Sequence, residues 1–172
     1  IVHYFVPEKK PLYNRLFWLT ELAVLGMLLS FPFQGYAAVS ITFSTLHIFC
    51  SYYFAYLIFK NHSTPSKVTS YLLKTALVFM LVSTAGVWCL GPAVATVGQA
   101  SAFYQIAIQF FLHFQFNGWF LIAVLAVLCH QLQLHDSKEF RLFFSFLIVA
   151  TVLTFALPVN WFVPHVSLLW IN

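Results

Sequence analysis

The chain has 172 residues, of which 62% are hydrophobic and 7% charged, with 21 Phe and a formal net charge of +4. A soluble domain of this composition would expose large apolar patches, so the composition excludes a soluble enzyme and implies an integral membrane protein. No P-loop, GxGxxG, GxSxG or HExxH motif occurs, and the isolated Cys50, Cys89 and Cys129 match neither a disulfide framework nor a CxxC metal site.

Residues 1–11 are polar, end in Pro11 and read as an interfacial lead-in. The first span is expected at about 12–31, closed by Pro32, and the second at about 36–59, from Tyr36 onward. A polar loop with Pro65 as breaker leads to a third span at about 68–90, stopped by Gly91-Pro92. The fourth covers about 102–130 and the fifth about 140–157, closed by Pro158. Residues 159–172 are too short to cross and form either the start of a sixth helix or an interfacial segment anchored by Trp161 and Trp170. The expected fold is all-α: a polytopic transmembrane helix bundle in one domain, 1–172. With no small-residue cleavage signature, a removable signal peptide is not expected; the opening on Ile1 is read as a processed chain or, in preference, part of a longer one.

Charge follows these spans. Lys9, Lys10 and Arg15 open the first; Lys60, Lys67 and Lys74 surround the second loop; Lys138 and Arg141 flank the fourth. The intervening connections carry none, so all eight basic residues fall on one side, which the positive-inside rule makes cytoplasmic together with the N-terminus. A bacterial inner membrane is the expected location, with the lipid bilayer and other subunits of a membrane complex as partners. Topology explains the charge, so nucleic acid is not an expected partner.

Within the fourth span Gln105, Gln109, His113 and Asn117 recur every fourth residue and share one helical face. Polar groups at mid-membrane depth are costly in lipid and normally face a protein interior or a wet cavity. In the second span Ser40, Ser44, His47 and Ser51 form a similar face. His47 stands eleven residues after Tyr36, and His113 eleven after Ala102. Both are therefore expected about 16 Å below the outer edge. Glu21 falls at a similar depth in the first span. Three readings follow: His47 and His113 as ligands of a buried metal centre, most naturally haem iron; Glu21, His47 and His113 as a proton or ion relay in a small transporter; or mutual hydrogen bonding that fixes packing in a structural subunit. Gln109, Asn117, Ser44, Ser51 and Glu21 would support the histidines or handle protons. His62, His130 and His135 are expected at the solvated rim, His3 in the interface and His165 on the outer side; Gly118 suits close helix contact and Trp119 packing.

At His113-Phe-Gln-Phe-Asn117-Gly-Trp119 and Phe43-Ser-Thr-Leu-His47 the chain resembles uncharacterised bacterial multi-pass proteins of the haem–copper oxidase subunit I-like type, a group that includes NnrS-like haem proteins. The resemblance covers about Leu12 to Leu128. It implies a many-helix bundle holding haem, with or without a second metal, and a role in respiratory redox or nitric oxide metabolism. His47 and His113 are the positions it implies as ligands. Longer members carry a further histidine-bearing helix before the point where this chain begins. No adjacent His-His pair and no His-x-x-x-Tyr occurs here, so an oxidase-type haem–copper centre is not carried over.

Overall fold

The computed structural model describes residues 1–8, 10–35, 37–64 and 66–169; Lys9, Tyr36, Pro65 and Trp170, which entered the reading above, lie outside the described residues. Those residues form helices and no strand, so the chain is all-α. Five helices are long and apolar enough to cross a membrane: Pro11–Gln34, Ala38–Asn61, Lys67–Thr96, Ala102–Gln131 and Lys138–Phe162. In a bilayer this is what backbone chemistry requires, because a helix satisfies its own N–H and C=O groups where no water is present. The protein is an integral membrane protein.

The expected proline stops shift. Helix α2 (Pro11–Gln34), which follows the short α1 (Val2–Phe5), runs past Pro32. A proline in the last turn forfeits only the bond to the carbonyl four residues back, and the Gly35 N–H still closes the helix on Phe31 at 2.9 Å. Helix α4 (Lys67–Thr96) passes Gly91-Pro92 for the same reason, ending with the Val97 N–H on Ala93 at 2.9 Å. The fifth span breaks before its proline instead, into α7 (Lys138–Leu153) and α8 (Ala156–Phe162). Beyond α8 lies only the four-residue α9 (Val166–Leu169), with the His165 N–H held by Asn160 Oδ1 at 3.0 Å, and no further spanning helix among the described residues.

By its contacts the chain divides into two compact units, Ile1–Ser63 and Thr64–Asn172. Unit 1 is a helical hairpin of α2 and α3 (Ala38–Asn61). Tyr13, Leu16, Ala23 and Ser30 are buried at steps of three and seven residues, about one and two turns, that keep one face of α2 turned inward. The Phe43 ring occupies the space that a Cβ on Gly26 would need, which draws the two helices together. At the turn, Ser40 Oγ accepts the Ala37 N–H at 2.9 Å and donates to the Gly35 carbonyl at 2.6 Å. At the opposite end, Asn61 Nδ2 donates to the Tyr13 hydroxyl at 3.0 Å and the Ser63 N–H donates to the Phe5 carbonyl at 2.9 Å. The first ties the start of α2 to the end of α3, and the second fastens the lead-in there.

In unit 2, α4 is the central helix, packed against α5 (Ala102–His113), a π-helical segment (Phe114–Phe120) and α6 (Leu121–Gln131). Small residues permit the closest approach. A Cβ on Gly86 would strike the Ala107 carbonyl and come within 2.8 Å of the Phe111 nitrogen, both backbone atoms that cannot swing aside. Ser83 Oγ lies 2.7 Å from the Met80 carbonyl and 2.8 Å from Gln115 Oε1. One hydroxyl proton cannot serve two acceptors, and an amide turned to present Nε2 satisfies all three groups.

The polar end of this unit is tied by Ser66 Oγ donating to the Leu134 carbonyl at 2.8 Å, and by Arg141 holding Asp136 through Nε at 3.0 Å and through a second, charge-assisted bond. The Arg141 hydrogen bond, with the charges of Arg141 and Lys67, holds the Asp136 carboxyl below its ordinary pKa.

Candidate functional site

The site begins at a break in a helix. In α7 the Thr154 N–H bonds to Ala150 as helical geometry requires, but the Phe155 N–H turns to Val152, three residues back, at 3.3 Å. The Thr151 carbonyl thereby loses the N–H that a continuous helix would give it. Pro158 reinforces the break, since it brings no N–H to Thr154; the Leu157 N–H takes that carbonyl instead at 3.2 Å. Leaving a carbonyl unpaired at membrane depth costs several kcal/mol, of the order of magnitude of a whole hydrogen bond. His113 meets the need: its Nε2 lies 2.7 Å from the Thr151 oxygen.

That contact fixes the tautomer. A carbonyl only accepts, so Nε2 carries the hydrogen, and in the neutral ring Nδ1 is left as an acceptor. Asn117 Nδ2 sits 3.3 Å from Nδ1, on the side where a donor is needed. Four phenylalanines hold the assembly. Phe114 is buried, stacked on Phe79 at 5.6 Å and 9° and edge-on to Phe110 at 4.7 Å. Phe155, from the break itself, meets Phe114 and the His113 ring, each at 5.6 Å. Pairs of this kind contribute about 0.5–1.5 kcal/mol each beyond area burial.

His113 also begins the π-helical turn, and the chain resumes α geometry only at Leu121. Such wide turns recur at functional sites because they redirect side chains without ending the helix. Gly118 within it lets Phe79 approach, since a Cβ there would lie 2.6 Å from Phe79 Cβ. The imidazole opens on a cleft of about 510 Å³ lined by Gln109, Leu112, His113, Phe116, Asn117, Thr154, Leu157 and Pro158. Three of the four residues in the expected polar line therefore reach one place. Gln105 does not: its amide donates to the Gln99 carbonyl at 3.1 Å and secures the preceding loop.

His47 belongs to unit 1 and is described there. It is half-buried on α3, and its ring takes no hydrogen bond among the described residues; the Ser51 hydroxyl donates to its main-chain carbonyl at 3.0 Å. Ser44 is half-buried on the same helix. Gly26 facing Phe43 and Tyr13 bonded to Asn61 set the antiparallel register, which brings the half-buried Glu21 level with the His47–Ser51 turn.

The two imidazoles differ as ligands. A ligating ring gives one nitrogen lone pair to the metal and donates its other N–H to a neighbour. His47 has a lone pair to offer, but no neighbour among the described residues takes its N–H. His113 already uses Nε2 on Thr151 and Nδ1 on Asn117, so a metal bound there would displace one of those bonds. Among the described residues no three His, Cys, Asp or Glu side chains gather closely enough to hold a metal ion.

The reading from sequence passed over Thr151, Thr154 and the Ser83–Gln115 pair. Thr154 four residues before Pro158 was a legible signal for a freed carbonyl; nothing local marked Thr151 as the residue His113 would find.

No protein-family model matches the chain, and comparison with curated proteins and with solved structures gives no match.

Proposed function

We propose that the chain is a proton-coupled membrane transport protein in which His113 binds the proton at the cleft of unit 2. The observation that supports this is the paired use of the ring, with Nε2–H committed to Thr151 and Nδ1 facing Asn117 and the cleft. A proton added at Nδ1 turns that nitrogen into a donor. The Asn117 NH2 then opposes an N–H, and the amide must rotate to present its oxygen. Protonation thus inverts the hydrogen-bond character of the cleft wall beside Gln109 and Thr154. A small polar solute held by those groups would be bound in one state and released in the other, which is the coupling a transporter needs. Imidazole suits the task because its second ring nitrogen can take up a proton while the first keeps its hydrogen bond.

The test is charge movement after a pH jump, recorded on a solid-supported membrane carrying the reconstituted protein. The transient is expected in the wild type and lost in His113→Gln; an equal transient in that variant overturns the proposal.

A second reading rests on the unengaged ring of His47 and the aromatic surroundings of His113: haem or metal binding in respiratory redox or nitric oxide metabolism, with both histidines as ligands and Asn117 displaced from Nδ1. Haem would supply redox chemistry, and the protein would supply the imidazoles and an apolar enclosure. A reduced-minus-oxidised optical spectrum lost in both His47→Ala and His113→Ala supports it, and a featureless spectrum after haem addition removes it.

Orientation is proposed by the same physics. In unit 1, Lys10, Arg15 and Lys60 share the end fastened by Asn61 and Tyr13; in unit 2, Lys67, Lys138 and Arg141 share the end tied by Ser66 and Leu134. By the positive-inside rule we read such ends as cytoplasmic, and the resemblance noted from sequence makes a bacterial inner membrane the proposed location.

A further inference from the structure

Apart from the His113 cleft, unit 1 contains a cavity of about 220 Å³ lined by Val6, Pro7, Glu8, Lys10 and Asn61. Its lining is held by neighbouring hydrogen bonds. The Ser63 N–H on the Phe5 carbonyl pins the lead-in at the end of α3, and the Asn61 amide, whose residue lines the cavity, donates to the Tyr13 hydroxyl of α2. Two opposite charges line it. Glu8 and Lys10 are both exposed, and neither has an ion-pair partner among the described residues. A carboxylate and an ammonium that share a small cavity without pairing offer complementary ends to a zwitterion.

We propose that this cavity binds the headgroup of an aminophospholipid, with Lys10 and the Asn61 amide on the phosphate and Glu8 on the primary ammonium. Three features of unit 1 favour a lipid over a soluble zwitterion. The cavity lies at the polar end of a membrane-spanning hairpin. Trp18, 70% exposed, and the exposed Phe17 follow within the next two turns of α2, as in an interfacial aromatic belt. Below them α2 presents Leu22, Leu25, Leu28 and Leu29, all exposed, along which acyl chains can lie. Glu8 supplies the discrimination. An ammonium donates hydrogen bonds to it, a quaternary choline cannot, and a phosphatidylglycerol headgroup brings no cation at all.

The test is native mass spectrometry of the full chain released from nanodiscs containing equal amounts of phosphatidylethanolamine, phosphatidylcholine and phosphatidylglycerol. Phosphatidylethanolamine is expected to be retained roughly fivefold over the other two, the scale of one partly exposed charge pair. Glu8→Gln is expected to erase its preference over phosphatidylglycerol, while Lys10→Gln lowers retention of all three. Equal retention of the three lipids by the wild type, or a preference unchanged in Glu8→Gln, overturns the proposal. Displacement of the lipid by millimolar free phosphoethanolamine would reassign the cavity to a soluble zwitterion and likewise overturn it. The His113 cleft plays no part in this readout.

Discussion

His113 and His47 begin from the same sequence logic and end in opposite states. Each is an imidazole on an apolar helix with polar residues one turn away, and each was expected near the middle of its span. In unit 2 the ring is bonded at both nitrogens and flanked by Phe114 and Phe155. In unit 1 the ring takes no hydrogen bond among the described residues, and its helical neighbour Ser51 bonds to the backbone instead. A polar line along one helix does not decide whether its histidine is fixed. That depends on whether a second helix is broken at the right height to present a bare carbonyl, as α7 is for His113.

The contrast can be broken most severely by removing the scaffold around His113. Gly86→Ala pushes α4 off the backbone of α5 and is expected to destabilise the protein by about 3 kcal/mol, near the upper end for overpacking, read by unfolding in a denaturing detergent titration. His113→Ala deletes the donor that satisfies Thr151 and should cost about 2 kcal/mol in the same assay. Gln at this position keeps an N–H within reach and should restore part of that loss without restoring proton binding. Gly118→Ala meets Phe79 Cβ, an atom that no side-chain rotation moves, so a cost of about 2 kcal/mol is expected as α4 shifts, with altered cleft accessibility to a cysteine probe at position 117. His47→Ala sharpens the contrast: with no bond to lose, it should change stability by less than about 0.5 kcal/mol.

The smallest effect lies outside the spans, at Asp136. Its folded pKa is lowered by Arg141, so its contribution is fully present above the ordinary aspartate value of about 3.9 and is lost as pH falls below that through the lowered value. Hydrogen exchange in the loop before α7 should therefore quicken only in that acid window, and Asp136→Asn should abolish the dependence.

Much of the fold was legible. Hydropathy located the five spans, with the ends of the third and fifth running on to Thr96 and Phe162, because a 30 Å hydrocarbon layer sets a minimum apolar length of about 20 residues. Proline was misread as an end at Pro32 and Pro92, where one lost bond in a last turn is tolerated; at Pro158 the helix breaks just before it. At the site, periodicity gathered Gln109, His113 and Asn117 correctly. It failed for Gln105, whose amide is drawn to a nearby loop carbonyl, a local competition that spacing does not record. The Ser83–Gln115 contact and the bond from His113 to Thr151 were hidden because their partners lie 32 and 38 residues apart in sequence.

The most direct test is the protonation state of one ring. Solid-state 15N NMR of the histidine-labelled protein in lipid, with the signal assigned by its absence in His113→Gln, should show neutral His113 as the Nε2–H tautomer with a hydrogen-bonded shift, and a second N–H at Nδ1 on acidification. A neutral ring protonated at Nδ1 instead, or one exchanging between the two tautomers, would contradict the bond to Thr151 on which the proton-binding cleft depends.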